Sequence, residues 1–319
     1  MVSGFVPFAA LLAAMVLWGS SFVAFKYAVM VFDPVVVVFV RMLLASVAFC
    51  CVFPRWRPVE WRPRDIPAML FMAVCEPCLY FLFEGQALRF TSAAQAGTVA
   101  AILPVLVAVL AWFFLGERLR LGSWLGLILA LGGVAVVSVA GQGTESAPNP
   151  AWGNFLELMA MVCAAGYTVS MKKLCATYSS WFMTAVQAIV GTVFFFPLLF
   201  LPGTTLPTSW PLAPTLAVGY LGIFISIGAY GLYNFGISKL PAWQASAFVN
   251  LIPVFSILLG WAILEESLNV AQLAGVGVVF LGVLLSQDSL WNPARPTFVA
   301  LPPGPTPGLI PPAKTEGKA

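Results

Sequence analysis

Residues 71–85 read FMAVCEPCLYFLFEG, which sets two carboxylates, Glu76 and Glu84, and one proline, Pro77, in an otherwise apolar run. Charge is scarce throughout: Asp, Glu, Lys and Arg make up 8% of the chain, against about 25% in an average protein. An acidic residue at mid-bilayer costs at least ~2.5 kcal/mol and so marks a candidate functional site. Whether residues 71–85 form a membrane helix therefore decides both the fold and the site.

Composition points to lipid. The 319 residues are 61% hydrophobic, with mean hydropathy +0.97. A soluble chain of that length would expose too much apolar surface to stay dispersed. A net charge of +3 without a basic cluster argues against a nucleic-acid partner. Histidine is absent, which removes the commonest metal ligand and general base. No metal, cofactor or catalytic set is expected, and the chain does not read as an enzyme. The six cysteines (Cys50, Cys51, Cys75, Cys78, Cys163 and Cys175) lie in or beside apolar runs and read as small buried hydrophobes. Cys75-Glu-Pro-Cys78 has redox-motif spacing but lacks the surrounding βαβ pattern.

Windows of about twenty apolar residues give ten candidate spans. They cover 5–27, 34–53, 66–85, 92–115, 121–140, 152–171, 181–201, 212–235, 242–264 and 269–287. Their length and lack of alternation predict helices rather than a barrel. With the N-terminus cytoplasmic, twelve Lys and Arg fall on the cytoplasmic side and two, Lys26 and Arg89, on the other. That asymmetry predicts both termini in the cytoplasm of an inner membrane. Residues 288–319, with eight prolines between Trp291 and Pro312, read as a disordered cytoplasmic tail.

A linker at 141–151 divides the chain into two related halves, 1–140 and 152–287. A shift of 149 residues aligns Ala87–Val134 with Gly236–Val283 without a gap, at 13 identities in 48 positions. Matched pairs include Gln95/Gln244, Pro104/Pro253, Trp112/Trp261, Glu117/Glu266, Gly126/Gly275 and Gly133/Gly282. Five spans per half is odd, so the halves are expected to be inverted repeats, an architecture of secondary transporters with a site between the halves. The expected fold class is an all-α integral membrane protein of ten transmembrane helices in two inverted five-helix repeats.

Trp18-Gly-Ser-Ser-Phe-Val-Ala-Phe-Lys26, Pro34 with Arg41, Thr91-Ser-Ala, Pro104 and Leu115-Gly-Glu-Arg-Leu119 together resemble the EamA-type permeases of the drug/metabolite transporter superfamily. The second half departs, with Leu264-Glu-Glu-Ser-Leu268 and Ala165-Gly166 at the corresponding places. The resemblance covers residues 5–287. It implies ten helices in inverted repeats and export of small organic metabolites, such as amino acids or drug-like compounds.

Depth sorts the charged residues. At ~1.5 Å per residue, Glu76 lies about 14 Å below the outer end of span 3 and Arg41 about 10 Å below that of span 2, so the two can meet. Glu76 is then either a proton- or cation-binding residue or half of a structural ion pair with Arg41. Glu84 is expected at the outer rim, hydrated and within reach of Lys26 or Arg89. Glu157 is expected about 8 Å from the outer surface, either lining a cavity or at a solvated helix end. Glu117 and Glu266 read as helix-end tethers. Polar groups inside spans must point inward, which adds Trp18, Tyr80, Tyr167, Tyr230, Tyr233, Asn234, Gln95, Gln244 and Asn250 as cavity or interhelical groups. The candidate site is therefore Glu76, Arg41, Tyr80, Glu84, Trp18, Tyr230, Tyr233, Asn234 and Asn250, with matched helix kinks at Pro104 and Pro253 as hinges. The small-xxx-small pattern at Gly122–Gly126, repeated at Ala271–Gly275, packs helices either within the chain or across a homodimer.

No G-x-x-x-x-G-K-[ST] loop is present, so the energy source is expected to be an ion gradient or the substrate's own. A lipid-linked sugar flippase is the alternative within transport, and a membrane-embedded enzyme or receptor the alternative outside it. The expected partners are a small-molecule substrate and the lipid bilayer.

Overall fold

The computed structural model describes residues 5–51, 62–115, 121–240, 245 and 248–286. The expectations for Glu117, for Gln244 and for the tail at 288–319 lie outside them. All regular structure among the described residues is helical.

The chain begins with α1 (Phe5–Val29) and α2 (Pro34–Cys51). One long rod follows, made of α3 (Ile66–Ala73) and α4 (Tyr80–Phe90) joined by a π turn at Val74–Leu79. Next come α5 (Ala93–Ala100), α6 (Leu103–Leu115) and α7 (Leu121–Val139). Beyond the linker lie α8 (Pro150–Leu174) and α9 (Ser180–Leu198). A second long rod is made of α10 (Leu212–Tyr220) and α11 (Tyr230–Lys239), joined by a π turn at Leu221–Ala229. A 3₁₀ turn (Phe248–Leu251) leads into α12 (Ile252–Leu264), and α13 (Val270–Ser286) ends the described chain.

Seven of these rods are long and apolar enough to cross a membrane, and three shorter apolar helices accompany them. Large apolar side chains such as Phe113, Ile128, Leu212 and Trp261 point outward. Water would penalise such a surface and lipid does not. The molecule is a multi-pass membrane protein.

In hydrocarbon each backbone group needs a partner from the protein itself, and lysines supply two such sets. Buried Lys26 on α1 donates to the carbonyls of Leu88 at 2.6 Å, Thr91 at 2.9 Å and Ser146. The first two end α4, where a cation also complements the helix dipole. Lys172 on α8 donates to the carbonyls of Ile237 at 2.9 Å and Leu240 at 2.8 Å, which end α11. The 149-residue shift carries Leu88 onto Ile237 and Thr91 onto Leu240, so the two halves close the same helix end in the same way.

Helices α7 and α13 pack backbone to backbone through the matched glycines. A Cβ on Gly133 would lie 2.8 Å from the Gly275 carbonyl oxygen, and one on Gly282 would lie 2.7 Å from that of Gly126. Gly126 and Gly275 of the small-xxx-small pattern therefore pack within the chain. Glu266 caps the start of α5, accepting from the amides of Ala93 at 2.9 Å and Ala94 at 3.0 Å. That is the tethering role expected of it.

Two expectations are corrected here. Pro104 and Pro253 do not bend continuous helices: each lies in the first turn of a new helix, after a turn at 101–102 and after the 3₁₀ turn respectively. A proline costs no hydrogen bond in a first turn, which is why the break falls just before it. Cys50 and Cys51 are exposed at the end of α2 rather than buried.

Two outcomes follow for stability. Gly282→Leu would drive a Cβ to 2.5 Å from the Ala130 amide nitrogen. It should destabilise the protein by at least ~1–3 kcal/mol, read as a lowered unfolding midpoint in detergent; an unchanged midpoint would contradict this packing. Lys26→Met leaves the buried carbonyls of Leu88 and Thr91 unpaired, at about 1–3 kcal/mol for each, whereas the carbonyls that Lys172→Met releases are only part-buried. The first variant should therefore unfold at the lower temperature.

Candidate functional site

The site begins at the break in the first long rod. Pro77 has no N–H to donate, so the helical ladder opens around it, and Glu76 takes extended dihedrals (φ −148°, ψ 118°). The Glu76–Pro77 peptide is cis. The second rod has its π segment at the matching place, since the same shift carries Glu76 onto Ile225 and Pro77 onto Ser226, but its backbone stays helical throughout. π segments inside helices are frequent at functional sites.

The break in the first rod meets the second rod. Glu76, 3% exposed, accepts a hydrogen bond from the hydroxyl of Tyr230, the first residue of α11. A carboxylate of the first half is thus held by a phenol of the second. Arg41, 1% exposed on α2, donates through Nε to Ser226 Oγ at 3.1 Å. Its guanidinium stacks 4.3 Å from the centre of the Phe81 ring and 5.6 Å from that of Phe25. Such contacts are worth about 0.5–2 kcal/mol where water is excluded.

The direct Glu76–Arg41 ion pair does not form, and neither Glu76 nor Glu84 lies within 4.0 Å of the Arg41 nitrogens. Tyr230 occupies the carboxylate, while Ser226 and two aromatic faces occupy the guanidinium. Both groups still line one cavity, so the opposite charges remain available to a third party.

Glu84 is not a rim residue. Helix α4 continues to Phe90, past the expected end at Gly85, which leaves Glu84 4% exposed in the cavity wall. It accepts from the Tyr80 hydroxyl, one turn earlier on α4, at 2.7 Å. Neither expected cation neutralises it, because Lys26 is bound to carbonyls and Arg89 is exposed.

The cavity, counted together with the open space at its mouth, amounts to about 510 Å³. One wall is aromatic: the Trp18 ring lies 5.2 Å from that of Tyr230 and 4.6 Å from that of Tyr233, centre to centre. Tyr233 Oη and Thr168 Oγ1 stand in the same wall without a hydrogen bond of ordinary geometry.

Two candidates fall outside this wall. Asn234 is fully buried between helices: it accepts from Tyr167 Oη and donates to Thr184 Oγ1 at 2.8 Å and Gln187 Oε1 at 3.2 Å. That network ties α11 to α8 and α9. Asn250 sits in the 3₁₀ turn with its Oδ1 buried and unpartnered, and it does not line the cavity. Gln95 likewise serves packing, accepting from Asn154 Nδ2 at 3.0 Å. Glu157 is neither cavity-lining nor at a solvated end. It is 0% exposed on α8, with no partner on either carboxylate oxygen.

Phe81, Ser226 and Thr168 also belong to the site and are not among the residues that the sequence singles out. Ser226 carried a usable signal, since it is the residue aligned with Pro77. Phe81 and Thr168 carried none, being ordinary residues in apolar runs.

With this geometry established, known proteins supply the context. The model of the EamA-like transporter family matches residues 7–139 and again 151–287. An uncharacterized transporter of Archaeoglobus fulgidus is 28% identical over 268 residues, covering 84% of this chain and 94% of its own length. The uncharacterized transporter YetK of Bacillus subtilis is 25% identical, over 88% of this chain and 86% of its own. A probable terminal-alkyne amino-acid exporter of Streptantibioticus cattleyicolor is 27% identical, over 86% and 91%. A solved crystal structure, 20% identical, superposes with a TM-score of 0.64 over 90% of this chain and 98% of its own, so the fold is shared. Two helical repeats, each with a π segment at a matched place and each matched by the family model, lead to one conclusion: this chain belongs to the EamA-like transporter family.

Proposed function

We propose that this transporter works by alternating access as a secondary exporter of small organic metabolites, with amino acids and related compounds as the favoured class. One observation carries the reading. Glu76, at the break of the first rod, and Tyr230, at the end of the π turn of the second, are bonded to one another in the wall of a cavity that also holds Arg41 and Trp18. A carboxylate that can meet an ammonium, a guanidinium that can meet a carboxylate, and an aromatic wall form a set suited to a zwitterion with an apolar side chain. The relative named as an amino-acid exporter supports the same class.

The rest of the proposal concerns architecture. The seven long rods and three shorter apolar helices serve as ten spans in two inverted halves, with both termini on the cytoplasmic side of an inner membrane. The reciprocal crossing of Gly133 with Gly275 and of Gly126 with Gly282 supports a two-fold relation between the halves. The helix starts at Pro104 and Pro253 serve as hinges when one half rocks against the other. Rocking separates Glu76 from Tyr230, which frees the carboxylate for substrate or a proton. A diphosphate-linked lipid fits poorly, because the cavity lining has one guanidinium against two carboxyls.

Uptake of radiolabelled amino acids into proteoliposomes, with and without a pH gradient, tests the reading. Flux should be saturable for at least one zwitterionic amino acid with an apolar side chain; no flux for any amino acid would remove this substrate class. Glu76→Gln should lower that flux at least tenfold, because it deletes the charge that meets the ammonium. Tyr230→Phe should weaken apparent affinity roughly threefold to tenfold, about the worth of one hydrogen bond near 1 kcal/mol. Wild-type kinetics in both variants would dissociate the inter-half bond from transport.

A further inference from the structure

Glu157 is left unexplained by the site above, although a buried carboxyl with two unpartnered oxygens needs an account. Its position follows from how α8 lies against the first long rod. A Cβ on Gly153 would come 2.6 Å from Thr91 Cβ and 2.9 Å from the Ala87 carbonyl oxygen, while one on Gly166 would come 3.1 Å from Cys75 Sγ. Helix α8 therefore runs antiparallel to the rod. Glu157, one turn beyond Gly153, falls opposite Glu84, one turn before Leu88. Two like charges facing one another across this contact would repel.

The surroundings supply little to neutralise them. On α4 the facing groups are Tyr80 and Glu84; the π turn adds Glu76, α2 adds Arg41, α11 adds Tyr230 and Tyr233, and α8 itself adds Tyr167. Helices α3, α5, α6 and α7 contain no titratable residue. Three carboxyls thus share one guanidinium. Full ionisation would leave a net charge of −2 in a space walled by apolar groups, which low-dielectric surroundings do not sustain. Glu76 has Tyr230 and Glu84 has Tyr80, whereas Glu157 has nothing.

We propose that Glu157 is a proton site: its carboxyl carries a proton in the dry contact behind the cavity and exchanges it with the cavity through the facing Glu84. The site is distinct from the Glu76–Tyr230 bond at which the substrate is placed. It rests on the transport reading only for its use in coupling: Glu84 lines the cavity and Glu157 lies behind it, so a proton taken up from the cavity can be stored away from the substrate. A proton suits this place better than a metal cation, because hard cations take six or more oxygen ligands and two carboxyls with one phenol offer fewer.

Infrared difference spectroscopy of the full-length protein in lipid vesicles, stepped in pH without substrate, reads this directly. The wild type should show the carbonyl stretch of a protonated carboxylic acid that persists at neutral pH and disappears on alkalinisation. Glu157→Gln should abolish that band, and Glu84→Gln should shift its midpoint by a pH unit or more. Glu157→Asp, which keeps the carboxyl, should retain a titrating band and so guards against a folding artefact. A band that survives in Glu157→Gln would overturn the proposal. So would a wild-type band displaced by sodium at constant pH, which would mark a metal-cation site instead. Failure of the transport reading would appear separately, as absent tracer flux, and would leave the infrared result to stand or fall by itself.

Discussion

The Glu76–Tyr230 hydrogen bond exists because hydrocarbon offers no partners. Any carboxyl, carbonyl or amide that cannot reach water must find its complement inside the protein. That constraint explains why Lys26 and Lys172, which would snorkel outward from many helices, turn inward to hold the last carbonyls of α4 and α11. It explains why Glu266 folds back onto the first amides of α5. It also explains why buried Asn154 binds Thr91, Gln95 and Ser138 at once.

Within that frame the two π turns stand out. Breaking a helix in a membrane leaves backbone groups without ladder partners, and the break at Glu76-Pro77 is tolerated only where protein or a cavity receives them. The matching segment of the second half carries Ile225-Ser226 and stays helical, and Ser226 binds Arg41 rather than supplying a charge of its own. The two halves thus frame a site whose chemistry is one-sided.

The charges are arranged so that none completes another. Arg41 rests on aromatic faces, Glu76 and Glu84 each hold a tyrosine, and Glu157 holds nothing. Direct ion pairs would have been tighter but inert, because breaking a buried pair is strongly unfavourable. Hydrogen bonds from neutral phenols cost less to exchange. The site therefore keeps its charged groups buried and still replaceable.

Much of this was legible in the sequence. Composition and long apolar runs identify a helical membrane protein, since a 61% hydrophobic chain has no other solvent in which to bury its surface. The 149-residue shift identifies the repeat, and the scarcity of charge singles out Glu76, Arg41 and Glu84. Partnership was not legible. Sequence distance along a helix measures depth, but it does not measure which face turns toward which neighbour, so depth pairs Arg41 with Glu76 where packing gives it Ser226 and Phe81. Apolar character fades at Gly85, which puts Glu84 at the rim, whereas α4 runs on to Phe90, where Lys26 caps it. Polarity in a span says only that a group points inward, which does not separate the interhelical Asn234 from a cavity residue. The sequence by itself determined the solvent, the repeat and the residues too costly to be accidental. Only the tertiary structure decided which of them meet, because in a dry interior each polar group takes the partner that packing brings within hydrogen-bond reach.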